Sequence, residues 1–422
     1  MGAMKRSPLF STLLCVFSLA LLMPLIFLEK SANALPAPQQ QAETPMGTDE
    51  RLDMPGWWPT KQSASLNDFV GTKECARCHA KIAATQTETP MARAASLAAD
   101  STALREQERV SHQAGPYTFT ISKEASARNY SVGDGANSIS ATLGWAFGVG
   151  NKGQTYVYQR NGVFFESRMS FFTTLQGLDL TPGHSTKPPQ NLEQALGRAI
   201  PPDTLRRCFG CHTTASTTRA GFNPSRLVLG VDCEACHGPG AKHSELMDDE
   251  KNAEGRQAIF NPRSLGPVAQ VDFCGACHRT WYEVSVTGIK GVENVRFQPY
   301  RLESSRYWGE GDARLTCVAC HDPHKPLNHD SASYDEKCLA CHASSRSQKR
   351  SSNRASKPSP TASKDRQSPN PPVSQDHPGK ACPVAAKNCI TCHMPPVQFP
   401  SMHAPFTDHR IRIVRANSPY PG

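Results

Sequence analysis

The chain has 422 residues, of which 38% are hydrophobic and 7% aromatic, with 34 proline and 29 glycine residues. An apolar share well below one half, with so many turn-forming residues, argues against a Rossmann sheet, a TIM barrel or a helical repeat array. The 16 cysteine and 15 histidine residues stand out instead. We therefore expect a metal or a cofactor, rather than apolar burial alone, to organise the chain.

The N-terminal residues predict export. Two basic residues precede an apolar run over residues 9–28, and an Ala-Asn-Ala cleavage pattern ends at Ala34. These features indicate a signal peptide over residues 1–34, although the run is also long enough to serve as an uncleaved membrane anchor. In both cases the protein would be periplasmic or extracellular. Residues 35–68, rich in proline, glutamine, serine and threonine, are predicted to form a flexible tether.

Fourteen of the sixteen cysteines fall in seven copies of the pattern Cys-x-x-Cys-His. Zinc ribbons and redox dithiols also contain such cysteine pairs, but neither requires a histidine directly after the second cysteine. This spacing is the attachment motif of haem c, in which two thiols bond the haem and the histidine ligates its iron as the proximal ligand. We therefore predict seven covalently attached haem c groups. In chain order, the motifs numbered 1 to 7 are Cys75/Cys78/His79, Cys208/Cys211/His212, Cys233/Cys236/His237, Cys274/Cys277/His278, Cys317/Cys320/His321, Cys338/Cys341/His342 and Cys389/Cys392/His393.

Seven haem groups would alter both the expected core and the expected charge. Without residues 1–34, roughly 55 residues remain per haem, so the macrocycles are expected to form the interior and the protein a thin wrapping of short helices and loops. The formal net charge of +9 would be offset by ionised haem propionates, so it does not indicate nucleic-acid binding. The sequence also contains no nucleic-acid-binding motif.

Two segments between the motifs differ in character from the rest. Residues 113–175 lack a motif and contain two strand-like runs around Asn161-Gly162, a two-residue hairpin signal, so we expect a small antiparallel β insertion there. Residues 346–380 are basic and rich in serine and proline, which predicts a disordered linker. The remaining segments are a first haem segment over residues 69–112, a five-haem core over residues 176–345 and a C-terminal haem segment over residues 381–422.

The ligand on the far side of each iron decides whether a haem carries electrons or binds small molecules. Eight histidines lie outside the motifs, one more than seven haems need for bis-histidine coordination. The two weakest candidates are His403 and His329, of which one is expected not to be a ligand. A thioether ligand at Met91, downstream of motif 1, is an alternative to core packing of that side chain. The distal candidates are His112, His184, His243, His324, His377, His409, His403 and Met91.

No motif replaces its histidine by lysine, as the catalytic haem of pentahaem nitrite reductases does, so no catalytic residue is predicted. Cys382 becomes an unpaired exported thiol once Cys15 is removed with the signal peptide. A buried inert thiol, a haem ligand and an intermolecular disulfide remain open as interpretations of Cys382.

Several segments resemble the multihaem c-type cytochromes of the cytochrome c-554-like family. They are FVGTKECARCHAKI with TPMARA, CFGCH, VDCEACHGPGAKH, and NCITCHMPP with FTDHRI. The resemblance implies a mainly α and irregular multihaem cytochrome c fold organised around haems stacked in parallel and perpendicular pairs. It also implies that His243 and His409 are distal ligands. The seven motifs and the small β insertion depart from the tetrahaem member of that family, in which one haem is five-coordinate.

We expect an exported heptahaem cytochrome that transfers electrons one at a time between a membrane or periplasmic donor and an acceptor. Its partners would be redox proteins, and the N-terminus provides a route to membrane association. One alternative is a reductase or oxidoreductase of small nitrogen or sulfur species at a single open haem. Another is a subunit of a polymerised haem wire, which would require a distal histidine from a neighbouring chain.

Overall fold

The computed structural model describes most of the chain from Ser65 onward, namely residues 65–218, 221–309, 315–342, 382–415 and 420. The predicted signal peptide with Cys15, nearly all of the tether, the basic linker and His377 lie outside the described residues. No helix in the described part is long and apolar enough to cross a membrane.

Ten strands of the described residues form one antiparallel sheet. They are β1 (Ala95–Leu97), β2 (Arg109–Ala114), β3 (Tyr117–Glu124), β4 (Ala127–Gly133), β5 (Ser138–Phe147), β6 (Gly153–Arg160), β7 (Val163–Ser167), β8 (Met169–Phe172), β9 (Gly177–Leu180) and β10 (Gly197–Ala199). The main path of the sheet runs β10-β7-β6-β5-β4-β3-β2. Strand β1 pairs with β5, while β8 joins β6 to β9.

Alternation of buried and half-buried residues gives this sheet its inner face. In β4, every second residue is buried, including Tyr130 and Val132, as expected for a strand with one face on a core. Phe119 of β3 lies in the same core. Asn161 and Gly162 both have positive φ, 48° and 80°, and form the two-residue turn between β6 and β7. The predicted hairpin is therefore present.

The prediction of a mainly α and irregular fold with only a small β insertion is wrong. The sheet extends beyond residues 113–175 on both sides, from β1 and β2 to β9 and β10. It also has an apolar core of its own, in which Tyr156 and Phe171 are at most 1% exposed. The averaged composition concealed this core because many of the aromatic residues are concentrated between residues 117 and 172.

The haem-motif regions consist of short helices. They are α1 (Gly71–Gln86), α2 (Leu192–Leu196), α3 (Pro202–His212), α4 (Cys233–His237), α5 (Ala241–Asp248), α6 (Asn252–Gln257), α7 (Pro267–His278), α8 (Trp281–Thr287), α9 (Gln298–Glu303), α10 (Arg306–Gly309), α11 (Cys317–Cys320), α12 (Asp335–His342) and α13 (Cys389–His393). Two small antiparallel pairs accompany them: β11 (Thr217–Thr218) with β12 (Gly221–Phe222), and β13 (Pro396–Phe399) with β14 (Ala404–Thr407).

Each motif occupies a helical turn that is interrupted at or next to its histidine. The two cysteines are three positions apart, which places both thiols on one side of a helix. Helices α3, α4, α7, α12 and α13 end at the motif histidine, and α11 ends one residue before it. In α1 the helix continues past motif 1, but His79 departs from helical geometry with φ −108° and ψ 36°.

Candidate haem sites

The seven motifs, although separated along the chain, come into contact in space. The Sγ atom of Cys211 in motif 2 lies 3.7 Å from the carbonyl oxygen of Ala276 in motif 4. In three further cases, the first cysteines of two motifs contact each other through their side chains. These pairs are Cys75 with Cys233, Cys274 with Cys317, and Cys338 with Cys389. Motif 1 therefore lies beside motif 3, motif 4 beside motif 5, and motif 6 beside motif 7.

The second cysteine of each motif retains accessible surface, as does the first. All seven first cysteines are half-buried. Among the second cysteines, the exposed ones are Cys78, Cys320 and Cys392, and the half-buried ones are Cys211, Cys236, Cys277 and Cys341. A thiol must be reachable from outside the polypeptide to bond a macrocycle, so this placement agrees with covalent attachment. Thioether bonds at both cysteines of each motif stay a prediction.

Three motif histidines face a second histidine with a gap between the rings. An imidazole nitrogen bonds a metal at roughly 2 Å, so two rings on opposite sides of one metal have centroids about 6 Å apart. The observed pairs are His79 with His243 at 6.5 Å, His237 with His324 at 6.0 Å, and His321 with His409 at 6.2 Å. These separations leave room for an iron between the rings.

The hydrogen bonds of these imidazoles determine which ring nitrogen is free. A carbonyl oxygen only accepts, so a ring nitrogen next to one must carry the proton, and the other nitrogen keeps its lone pair. Nδ1 of His243 donates to the Gly255 carbonyl oxygen at 2.7 Å, and Nδ1 of His409 donates to that of Thr407 at 3.0 Å. His237 donates in the same way to Phe260 at 2.8 Å. Nε2 of each ring is therefore available to a metal.

The protonation state of two imidazoles agrees with iron binding. His278 lies in motif 4 and is exposed, while His409 is half-buried. Desolvation lowers the pKa of His409 to about 4 and also lowers the pKa of His278. Both imidazoles are therefore neutral at pH 7, which is the form that ligates iron.

Two distal candidates have Nε2 engaged by a carboxylate. Nε2 of His184 lies 3.0 Å from Oε2 of Glu166, and Nε2 of His403 lies 2.8 Å from Oδ2 of Asp179 in β9. The His403 ring also packs edge-on against the Phe172 ring, with their centroids 4.7 Å apart. In these arrangements both histidines join parts of the protein to the sheet.

The remaining candidates lie elsewhere. His112 is in β2, where it is paired with Phe119 of β3. His329 is exposed, as is Cys382. Met91 is half-buried, and its carbonyl oxygen accepts a hydrogen bond from the Val231 N–H at 2.9 Å, two residues before motif 3.

Motifs 2 and 3, with their surroundings, are the part of the chain that matches a known family. Residues 183–238 match the family model for cytochrome c554 and c-prime. The match supports a relation to the cytochrome c family, covalent binding of haem c and a haem-based role in electron transfer. Searches of curated proteins and of solved structures gave no match.

Buried carboxylates connect the motifs, and no sequence argument identified them. Glu234, inside motif 3, accepts hydrogen bonds from the N–H groups of Val70 and Gly71, at 2.9 and 2.8 Å, where helix α1 of motif 1 begins. It also accepts one from the Gly240 N–H at 2.8 Å. Because α1 carries motif 1, Glu234 fixes the position of motif 1 relative to motif 3.

Two further carboxylates connect other motifs. Glu283 in α8 accepts hydrogen bonds from Arg207, next to motif 2, and from Arg279, next to motif 4. Asp335 in α12 accepts hydrogen bonds from the N–H groups of Asn388 and Cys389, at 2.7 and 2.8 Å, where α13 of motif 7 begins. These two N–H groups lower the pKa of Asp335, because they stabilise its charged form.

Replacing a histidine whose Nε2 is free should have a different effect from replacing one whose Nε2 is held by a carboxylate. We expect His243→Ala to leave one iron five-coordinate, so the reduced holoprotein should bind about one additional carbon monoxide. His403→Ala is the matched control and should bind no more than the unmodified protein. Carbon monoxide titration with optical detection measures both. Additional binding by the His403 variant, with none by the His243 variant, would contradict this assignment.

Glu234→Ala should separate the structural role of this carboxylate from haem attachment, because the cysteines and histidine of motif 3 remain. Loss of an acceptor for three N–H groups should lower the free energy of unfolding by about 3 kcal/mol. The control variant Glu245→Ala removes an exposed carboxylate paired with Lys242. It should change the free energy of unfolding by at most about 0.5 kcal/mol. Urea unfolding followed by circular dichroism measures both, and equal losses would refute the role given to Glu234.

Proposed function

We propose that the protein is a heptahaem c-type cytochrome that carries single electrons between redox proteins. The observation that carries this proposal is the contact between motifs. Each motif lies against another motif through a pair of first cysteines, a contact between a cysteine and a carbonyl oxygen, or a buried carboxylate. Haem c, when bound, supplies a one-electron iron couple, and closely spaced haems conduct single electrons.

The residues of the chain would contribute to this function in three ways. The fourteen motif cysteines would anchor the macrocycles by thioether bonds, so that their positions follow those of the helices. The motif histidines would be the proximal ligands, and His243, His324 and His409 would be distal ligands opposite His79, His237 and His321. The support for this pairing is the ring separations of 6.0 to 6.5 Å.

The backbone carbonyl groups would orient these ligands. Because Nδ1 of His237, His243 and His409 donates to a carbonyl oxygen, each ring is held in one tautomer with Nε2 available. Nδ1 of His393 in motif 7 donates in the same way to the Arg412 carbonyl oxygen at 2.9 Å. Two protein ligands on an iron leave no position for a small molecule, which favours an electron carrier over an enzyme at these sites.

Export and exchange of electrons with protein partners are part of the same proposal. The apolar N-terminal run and the cleavage pattern at Ala34 support export. Members of the cytochrome c family are also usually exported, which agrees with this pattern. A donor and an acceptor protein would be required, since the chain carries electrons and does not consume a substrate.

Removal of one motif should remove one haem. Cys389→Ala combined with Cys392→Ala should lower the number of covalently bound haems by one, because motif 7 then offers no thiol. Cys382→Ala, a nearby cysteine outside the motifs, is the matched control and should leave the number unchanged. Mass spectrometry of the denatured chain counts covalent haem whether or not the variant folds. An unchanged number in the double variant would refute haem attachment at motif 7.

A further inference from the structure

We propose that Arg301 is a positioning residue for the His409 imidazole, and that it acts through the buried carboxylate of Asp408. This inference rests on the proposed function, in which His409 ligates the iron opposite His321. Arg301 lies in α9, more than a hundred residues before His409, and no sequence pattern connects the two.

The Arg301–Asp408 pair is almost completely buried. The two side chains are 1% and 0% exposed. Nε of Arg301 donates to Oδ1 of Asp408 at 2.9 Å, and its Nη2 donates to Oδ2 at 3.0 Å. A bidentate arrangement compensates for the loss of hydration of both charges. Nη1 of Arg412 also donates to Oδ2 of Asp408, but Arg301 is the only one of the two arginines that comes from outside the His409 segment.

Asp408 holds the backbone on both sides of His409. Its N–H donates to the Pro395 carbonyl oxygen at 3.1 Å, and its Oδ1 accepts from the Arg410 N–H at 3.0 Å. Residues 408 and 410, on either side of His409, are thus joined through the Asp408 carboxylate, which limits the movement of the His409 backbone. Burial alone would raise the pKa of Asp408, but hydrogen bonds from Arg301 and the Arg410 N–H hold it below its usual value.

Arg301 is itself held in place by its neighbours. Its guanidinium carbon lies 4.6 Å from the ring centroid of Tyr420, a cation–π distance, and the Tyr420 hydroxyl donates to Oδ1 of Asn294 at 2.8 Å. Close to α9, the Ser305 hydroxyl accepts a hydrogen bond from the Ile411 N–H at 2.9 Å. The α9 region thus holds the His409 segment at two points, Asp408 and Ile411.

The same segment also reaches motif 7. The Arg412 N–H donates to the His393 carbonyl oxygen at 3.2 Å, and Nδ1 of His393 donates back to the Arg412 carbonyl oxygen at 2.9 Å. Residues 408–412 therefore carry the His409 imidazole, which faces motif 5, and also contact the histidine of motif 7. We expect loss of Arg301 to displace His409 before it affects motif 7, because Asp408 contacts Arg301 and directly precedes His409.

The test measures axial ligation directly in the holoprotein. Arg301→Gln should let His409 leave its iron, so that the reduced protein binds about one additional carbon monoxide per chain and the oxidised protein shows a high-spin ferric signal in electron paramagnetic resonance. His409→Ala is the reference and should give the same two changes. The double variant should bind no more than His409→Ala alone, because both changes act on one iron.

Two controls separate positioning from general destabilisation. Arg160→Gln removes a half-buried arginine paired with Glu193 and should leave carbon monoxide binding and the spin state unchanged. Arg301→Lys keeps the positive charge without the two-pronged donor, so it should open the same iron in only a fraction of the molecules. If Arg301→Gln does not fold, carbon monoxide binding and the spin state are measured on Arg301→Lys instead. The proposal is overturned if Arg301→Lys then behaves like the unmodified protein.

The outcomes distinguish this inference from the proposed function. If His409→Ala binds additional carbon monoxide while a folded Arg301→Gln does not, Arg301 has no positioning role and the inference is overturned. If a double variant binds more than His409→Ala, the arginine acts on another iron, which also overturns it. If His409→Ala itself binds no more than the unmodified protein, the ligand assignment under the proposed function fails instead.

Discussion

Buried carboxylates in this structure are compensated by distant parts of the chain, and these interactions hold the haem motifs together. Glu234, Glu283, Asp335 and Asp408 are all at most 7% exposed, and a carboxylate loses much of its hydration when it is buried to this extent. Glu234, Glu283 and Asp335 are compensated by backbone N–H groups or arginines next to other haem motifs, and Asp408 is compensated by Arg301 of α9. Because these donors are available only when the motifs are adjacent, the same interactions that keep the carboxylates charged also fix the spacing of the motifs.

The sheet is stabilised by a different interaction, the burial of apolar side chains. Its core contains closely packed aromatic residues. Phe147 at the end of β5 extends this packing to Phe209 and His212 in α3, with ring centroids 5.1 Å apart in both pairs. The sheet therefore supports motif 2 with apolar contacts, while His403 attaches the C-terminal region to β9 through Asp179. One chain thus combines a conventional core with a region in which thioether-bound haem would supply much of the interior.

Local features of the fold could be predicted from the sequence, whereas long-range pairings could not. Short helices around the motifs were expected, and Asn161-Gly162 predicts a hairpin, because both depend on neighbouring residues. The extent of the sheet was missed because β1 and β10 are only three residues long and gain their pairing partners from elsewhere. Histidines 243, 324 and 409 could be named as candidate ligands, but their partners could not. Glu234 contacts residues 163 and 164 positions away, and nothing local distinguishes it from a solvated glutamate.

If these motifs hold covalent haem rather than another metal, the mature protein must contain seven haem groups. The intact mass and metal content of the unmodified protein, purified from cells able to mature c-type cytochromes, measure this. We expect a mass increase equal to seven haem groups, a matching amount of iron and a Soret band. A chain without added haem, with zinc bound at the cysteines, would contradict it.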